Sequence, residues 1–392
     1  MSIQKFLWLI IISLNIGCAA AQKSATSSAA VNPSYYPPFS WDKVPVMAHF
    51  GKAEGLTNDE INFLVKHFSW IVLEKGHAAK TSGSTESGIS DDAQRIKKIN
   101  PACKVLYYWN SSINFSGMYE SVKEFDNHPE WAVKDKNGNL VLAHANKRKR
   151  YDHSNPELRK WWVKSVAEEV NKSWMDGVFI DALPQISMHR KANIDLLGQD
   201  KQDAQETGVM ESLKLLREQT PGKILLYNGL RGKKDLWADM GVRYFAHTDA
   251  AMVEHFTSIS ATDKETIAGN IEVIQQEGKK GKIVVVKGFP DFNWTDTVMM
   301  KRPYSELEKL AKEQLLFSLA AYLIAAGENS YFCYSWGYRE NHGTFSWYPE
   351  FDKPLGKPKG DAVKNGWSYT REFEHCKVKI NIENKTASID WQ

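Results

Sequence analysis

Short apolar runs alternate with longer amphipathic stretches from residue 45 to residue 335. The runs are rich in β-branched and aromatic residues, as strands buried in a sheet are. Eight of them occur, at 46–50, 70–74, 104–109, 177–181, 223–228, 250–254, 282–287 and 330–336. Strands that alternate with helices are typical of successive βα units around a parallel sheet. Eight such units predict an α/β fold, a closed (β/α)8 TIM barrel.

The stretches between these runs have helical periodicity. Apolar residues recur at helical spacing in 155–173, where Asn155 and Pro156 form an N-cap followed by proline at the first helical position. The stretches 263–280 and 305–327 are equally helical. Charged residues interrupt the second of these, so we expect a buried helix rather than a membrane span.

Two further features lie outside the regular alternation. Asn137-Gly138 is flanked by strand-like segments, which predicts a hairpin between the third and fourth barrel strands. Residues 371–391 contain short strands with a turn at Asn384 and Lys385. We therefore expect a barrel over 41–350 and a small C-terminal β appendage over 351–392, packed on the barrel.

The N-terminus predicts export. Residues 1–21 combine Lys5 with an apolar run at 6–12 that is too short to span a membrane, as in an export signal. Two endings stay open: cleavage at the small residues 19–21, or lipidation of Cys18, as in a bacterial lipobox. Residues 22–40 are rich in Ser, Ala and Pro and predict a flexible tether. We expect a periplasmic, outer-membrane lipoprotein or secreted protein.

Composition and charge narrow the function classes. The chain has 392 residues, of which 42% are hydrophobic and 25% charged, as in an ordinary globular protein. A net charge of +3 gives no general attraction to nucleic acid, so no nucleic-acid partner is expected. The basic run 147–150 is either a solvated loop or a contact with an anionic polysaccharide.

No motif for a cofactor or a metal is present in the sequence. There is no P-loop, no dinucleotide-binding glycine pattern and no zinc motif, so we expect neither a cofactor nor a metal. The cysteines Cys103, Cys333 and Cys376 lack metal-ligand spacing, and they predict either buried free thiols or one disulfide. We expect a monomer.

Two carboxylates stand at the ends of predicted barrel strands. Active sites of such barrels lie at the carboxyl ends of the strands. Asp181 ends the fourth run and Glu254 the sixth. Glycoside hydrolysis needs two carboxyl groups flanking the scissile bond. A helix cap or an ion pair is the structural alternative for each acid, and Asp249 is a rival to Glu254.

Further polar and aromatic residues at strand ends or in the following loops are candidates for substrate binding. Aromatic rings stack on sugar faces, and polar groups bond to hydroxyls. Core packing or structural pairing is the alternative for each of them. The candidates are His49, Glu74, Tyr108, Trp109, Asn228, Lys287, Trp294 and Trp336.

Five segments in this order resemble the hypothetical glycosyl hydrolase barrel families, including the family 114-type enzymes. They are 128–141, 151–166, 175–183, 252–256 and 369–381. The resemblance implies that Asp181 is one catalytic carboxylate and Glu254 the other, and the α-galactosidase-like clan similarly places its acids at strands four and six. The chain departs from the pattern at Ala182, where the family has a second acid.

These features together predict a glycosidase that hydrolyses a poly- or oligosaccharide with Asp181 and Glu254. The main alternative is a non-catalytic surface glycan-binding lipoprotein with a degenerate barrel site. A polysaccharide lyase or an esterase is a third class, and the G-x-S-x-G motif of one esterase type is absent from the sequence.

Overall fold

Eight parallel strands form a barrel in a computed structural model that describes residues 33–143, 147–232, 239–259 and 261–392. Its sheet order is β1-β2-β3-β6-β7-β8-β9-β10, so neighbours in the sheet follow one another along the chain. The strands are β1 (Ala48–Phe50), β2 (Trp70–Leu73), β3 (Lys104–Asn110), β4 (Leu142–Ala143), β5 (Arg148–Lys149), β6 (Gly177–Asp181), β7 (Ile224–Asn228), β8 (Ala250–Phe256), β9 (Ile283–Gly288), β10 (Ser330–Tyr334), β11 (Val363–Asn365), β12 (Ser368–Glu372), β13 (Cys376–Asn381) and β14 (Thr386–Trp391).

The first and last barrel strands meet and close the sheet. Val46 and Phe332 form a parallel bridge. The Met47 N–H donates to the Phe332 carbonyl at 2.9 Å, and the Phe332 N–H donates to the Pro45 carbonyl at 2.8 Å. The predicted (β/α)8 TIM barrel is therefore confirmed.

Helices cover the outside of the barrel. They are α1 (Asn58–His67), α2 (Ala79–Ser82), α3 (Thr85–Ile99), α4 (Val122–Asp126), α5 (Pro156–Val170), α6 (Pro184–Ser187), α7 (Arg190–Leu197), α8 (Gln199–Gln219), α9 (Lys264–Lys279) and α10 (Tyr304–Ala325). Asn155 caps α5 by accepting bonds from the N–H groups of Glu157 and Leu158, as predicted. Within the described ranges, no helix is long and apolar enough to cross a bilayer.

The core has one layer inside the barrel and another between the strands and the helices. Strand β3 shows how alternation divides its residues. The hydroxyl of Tyr108 bonds to Asp181 of β6, whereas the ring of Trp109 packs 6.2 Å from that of Trp161 on α5. Cysteines 103, 333 and 376 are buried and free, which confirms the first of the two alternatives.

Two β additions flank the barrel. Lys134 and Leu140 form an antiparallel bridge, and Gly138 has a φ of +86°, so the predicted Asn137-Gly138 hairpin is confirmed. Strands β11–β14 form an antiparallel sheet at the C-terminus. This sheet is fixed to α10 by Arg371, which donates to the Leu323 carbonyl at 2.9 Å.

The chain packs against the amino-terminal end of the barrel from residue 33 onward. The Tyr331 hydroxyl donates to the Pro37 carbonyl at 3.0 Å, and the Tyr35 hydroxyl donates to Asp249 Oδ1 at 2.9 Å. The compact unit spans Pro33–Gln392, so it begins before the predicted boundary at residue 41. The predicted export signal, Cys18 and the tether up to residue 32 lie outside the described residues.

Candidate active site

One asparagine joins the two candidate catalytic acids. Asn228 ends β7, which lies between β6 with Asp181 and β8 with Glu254. Its Nδ2 atom donates to Asp181 Oδ1 at 3.0 Å and to Glu254 Oε2 at 3.0 Å. Because both oxygens bond to the same nitrogen, they are at most about 6 Å apart. The parallel barrel thus places both acids at its carboxyl end, which we call the mouth.

Asp181 accepts bonds from four groups. Besides Asn228, the Tyr108 hydroxyl donates to Oδ2 at 2.5 Å, Asn110 Nδ2 donates to Oδ2 at 3.3 Å, and the Ala182 N–H donates to Oδ1 at 2.8 Å. Burial raises the pKa of Asp181, and the charge of Glu254 raises it further, while the ammonium group of Lys75 acts in the opposite direction. The net effect is a raised pKa.

Glu254 has a different set of neighbours. The Tyr338 hydroxyl donates to Oε1, and Oε2 lies 3.6 Å from His255 Nε2 and 3.9 Å from Arg231 Nη2. Burial opposes ionisation of Glu254, but His255, the bonds from Tyr338 and Asn228, and Arg231 together lower its pKa. Burial also lowers the pKa of His255 itself.

The residue after each acid has a left-handed backbone. Ala182 has a φ of +64° and His255 a φ of +61°. Such a φ is uncommon for residues other than glycine, and strained residues of this kind cluster at functional sites. Strand β8 also shifts register against β9 between Val253 and Phe256, the segment that holds Glu254. Irregular strands of this type re-aim side chains next to active sites.

A second charged cluster lies at the ends of β1 and β2. His49 Nε2 lies 2.7 Å from Glu74 Oε1, and Lys75 Nζ donates to Glu74 Oε2 at 2.7 Å. Burial raises the pKa of Glu74, but Lys75 and His49 outweigh it and lower the pKa to about 2. The Lys75 ammonium lies 4.4 Å from the ring centroid of Tyr108, so this cluster adjoins Asp181.

Lys287 supports the wall of the mouth from inside the barrel. It is fully buried, donates to Ser335 Oγ, and its ammonium lies 5.2 Å from the ring centroid of Tyr338. Trp294 is partly exposed and packs edge-on against Tyr338 at 4.8 Å. Of these predicted binding residues, Trp294 retains an exposed part and Lys287 lies buried against Tyr338.

The structure corrects several predicted substrate contacts. Trp109 is 1% exposed and Trp336 is 0% exposed. Trp109 packs against the helix layer, and Trp336 packs against Phe292, 5.7 Å away, so neither presents a ring face to a sugar. Tyr108 and His49 are also buried, and their polar atoms bond to Asp181 and Glu74, respectively. These two residues orient acids.

Sequence reasoning did not assign Lys75, Arg231 and His255 to the site. Each lies within three residues of a predicted site residue, so a wider window around every strand end would have included them. The rival Asp249 lies at the opposite end of β8 and pairs with Arg217. In the part of the chain that the structure describes, no group of three or more His, Cys, Asp or Glu side chains could hold a metal ion.

Comparison with solved structures finds glycoside hydrolase barrels at low identity. The glycoside hydrolase domain of PelA from Pseudomonas aeruginosa is 18% identical, with a TM-score of 0.47, covering 79% of this chain and 96% of that one. The maltogenic α-amylase AmyB from Thermotoga neapolitana is 13% identical, with a TM-score of 0.48, covering 86% of each chain. No curated protein sequence matches the chain.

A family model supplies the assignment that these distant structures do not. The model of hypothetical glycosyl hydrolase family 15 matches residues 97–377. This range runs from the end of α3 into β13, includes Asp181, Asn228 and Glu254, and makes up more than half of the chain. The chain therefore belongs to hypothetical glycosyl hydrolase family 15.

Proposed function

We propose that the protein is a glycoside hydrolase that cleaves a poly- or oligosaccharide with retention of anomeric configuration, using Asp181 and Glu254. The observation that carries this proposal is the shared bond donor, Asn228, which keeps the nearest oxygens of the two carboxylates, Asp181 Oδ1 and Glu254 Oε2, at most about 6 Å apart. Retaining enzymes have carboxyl groups about 5–5.5 Å apart, whereas inverting enzymes need about 6.5–9.5 Å for a water molecule. The short separation favours retention.

The hydrogen bonds to Asp181 favour its role as the nucleophile. The Nδ2 atoms of Asn228 and Asn110 and the backbone N–H of Ala182 can only donate to it. A protonated Asp181 would need an acceptor for its own proton, and an ionised one needs none. Donors that surround a carboxylate stabilise its charged form. Asp181 is therefore the group that attacks the anomeric carbon.

The pKa shifts of the two acids favour the opposite assignment, with the proton on Asp181. The pKa of Asp181 is raised and that of Glu254 is lowered. The leading group that lowers the pKa of Glu254 is His255. His255 has a lowered pKa of its own, so it is neutral at neutral pH and its positive charge is then missing. Neutral donors give four hydrogen bonds to Asp181 but only two, from Tyr338 and Asn228, to Glu254, and none of these bonds depends on the titration of His255. We therefore assign the proton to Glu254.

The proposed reaction has two steps. In the first, Asp181 forms a glycosyl ester with the anomeric carbon while Glu254 gives its proton to the departing oxygen. In the second, Glu254 removes a proton from water, and the water oxygen displaces Asp181. Asn228 can stay bonded to both acids throughout, which preserves their spacing. No cofactor enters either step.

The test is release of reducing sugar from plant, algal and host polysaccharides by the mature protein. Asp181→Asn and Glu254→Gln should each abolish the release, whereas Glu54→Gln, an exposed acid paired with Lys80, should not. Nuclear magnetic resonance of the first product should show the anomer of the substrate. Activity that survives in both site variants contradicts the assignment, and glycan binding without turnover moves the protein to the binding class.

We also propose that the reaction takes place outside the cytoplasm. The proposal rests on the export-signal pattern of residues 1–21. Cell fractionation should find the protein in the periplasm, the outer membrane or the medium. A Cys18→Ser variant that leaves the membrane fraction would select lipidation, and an unchanged distribution would select plain cleavage.

A further inference from the structure

We infer that the rim of the mouth beside β3 binds anionic groups, and that the substrate is accordingly an anionic polysaccharide with carboxylate or sulfate groups. The inference rests on the proposed function for the adjoining site. The rim consists of Arg148 and Arg150, with Lys75 between them and the catalytic acids. Its position follows from Ser112, two residues beyond the end of β3, which contacts Arg150.

Arg150 is a half-buried cation that lacks a counter-charge. Its guanidinium donates to Ser112 Oγ at 3.2 Å and to the Gln185 carbonyl at 3.0 Å. Among the described residues, no carboxylate lies within 4.0 Å of it. Burial lowers its pKa, so the surroundings disfavour its charge. A guanidinium in this state is stabilised when a carboxylate or sulfate oxygen binds to it.

Arg148 extends this charge toward the acids. It donates to the Ser116 carbonyl at 2.6 Å, and its guanidinium carbon lies 5.4 Å from the ring centroid of Phe115. The Lys75 ammonium lies 5.3 Å from the same centroid. Lys149, by contrast, pairs with Asp126 at 3.5 Å. The Phe115 ring thus lies beside both Arg148 of the rim and Lys75, which adjoins Asp181 through Tyr108.

The mouth contains as many acidic as basic side chains among those named here, whereas the rim consists of arginines alone. The acids Glu74, Asp181 and Glu254 lie near the cations Lys75, Lys287 and Arg231. The two rim arginines have no ion pair among the described side chains, so the excess positive charge lies on the β3 side. A cationic rim attracts and orients an anionic chain.

Affinity electrophoresis tests binding without requiring turnover. Gels contain a polyuronate, a sulfated galactan, or the carboxyl-reduced or desulfated form of each. We expect both anionic polymers, or one of them, to retard the protein, and the neutral forms to retard it much less. Arg148→Gln and Arg150→Gln should each weaken retardation by about fivefold or more, and Arg150→Lys by less. Lys379→Gln on β13 removes one exposed charge away from the rim and should leave retardation unchanged.

The outcomes separate this inference from the proposed function. Retardation that is equal in anionic and neutral gels overturns the inference, as does an Arg148→Gln protein that behaves like Lys379→Gln. Glu254→Gln should bind as the unaltered protein does, because it removes turnover alone. Hydrolysis of a neutral glycan that is insensitive to both arginine variants would refute the anionic substrate and leave the hydrolase intact. Stronger retardation of the protein in the polyuronate gel or in the sulfated-galactan gel shows whether the rim binds carboxylate or sulfate groups.

Discussion

Strand β6 lies between two acids with opposite surroundings. Asp176 precedes the strand and Asp181 ends it, five positions later. Asp176 pairs with Lys97 at 2.5 Å and with Lys104 at 3.4 Å, and it accepts the Val105 N–H at 2.8 Å. Asp181 instead accepts bonds from neutral hydroxyl and amide groups. The same residue type is thus ion-paired at the floor of the barrel and bonded by neutral groups at the mouth.

Strand β8 repeats the pattern with the same spacing. Asp249 precedes it and pairs with Arg217, and its Oδ2 accepts the Leu225 N–H at 2.9 Å. Glu254, five positions later, accepts bonds from Tyr338 and Asn228. The cations that contact Asp176 and Asp249 neutralise these two acids at the floor of the barrel, and they link neighbouring elements of the fold. Neutral donors fix the direction of the mouth acids, and Arg231, the cation paired with Glu254, lies farther away, at 3.9 Å, which leaves their charge free to change during a reaction.

The largest expected effect distinguishes the roles of the two mouth acids, Asp181 and Glu254. Glu254→Gln should lower turnover of a natural glycan by about 10²–10⁴-fold, because the departing oxygen then lacks its proton donor. The same variant should lose much less turnover with a dinitrophenyl glycoside as substrate, because that leaving group departs without a proton. Asp181→Asn should stay inactive with both substrates. Steady-state kinetics measures this, and the reverse pattern would exchange the two roles.

The strands of the barrel could be predicted because each is a continuous apolar run. The ends of the fourth and sixth runs then pointed to Asp181 and Glu254, and the resemblance of the 175–183 and 252–256 segments supported this choice. Alternation along β3 would have separated Tyr108 from Trp109, since adjacent residues of a strand face opposite sides. The prediction used proximity to the strand end and ignored this alternation. It therefore assigned both residues to the mouth.

Other features depend on the folded chain and left no local signal. Trp336 lies beyond β10, and only the path of the following loop decides that it packs on Phe292. The shift of β8 between Val253 and Phe256 follows no turn residue in the sequence. The contact between Lys75 and Tyr108 joins the ends of two strands that are neighbours in the barrel. Such pairs follow from sheet order rather than from sequence spacing.

Glu74 breaks the simple division, because it lies at the mouth and yet pairs with Lys75 and His49 as a floor acid would. Its pKa falls from 4.5 unfolded to about 2 folded. This shift stabilises the fold by on the order of 3 kcal/mol, fully above pH 4.5 and less as the pH falls toward about 2. Urea unfolding at several pH values in that window measures the free energy of unfolding. This free energy should fall with pH in the unaltered protein and change less in Glu74→Gln. The same pH dependence in both proteins would contradict the role of Glu74.

The floor acid Asp249 should matter for stability and not for chemistry. Asp249→Asn leaves Arg217 without its partner and weakens the bond to the Leu225 N–H, so we expect a loss of about 1–3 kcal/mol in the free energy of unfolding. At a temperature where the variant is folded, its kcat should match that of the unaltered protein. Urea unfolding and steady-state kinetics on the same preparation measure both quantities. A large fall in kcat with full stability would place Asp249 in the reaction.

Replacement of Lys75 should give the smallest effect. It tests whether a cation at the mouth that does not contact Asp181 still changes the pH dependence of the reaction. Its charge lowers the pKa of Asp181 against the effect of burial. Lys75→Met removes that charge, so the pKa of Asp181 should rise and the acidic limb of the kcat/KM profile should move to higher pH. Lys75→Arg keeps the charge and should keep the limb in place. A purely structural lysine would lower activity equally at every pH, and a limb unmoved in Lys75→Met would show that the neutral donors alone set the charge of Asp181.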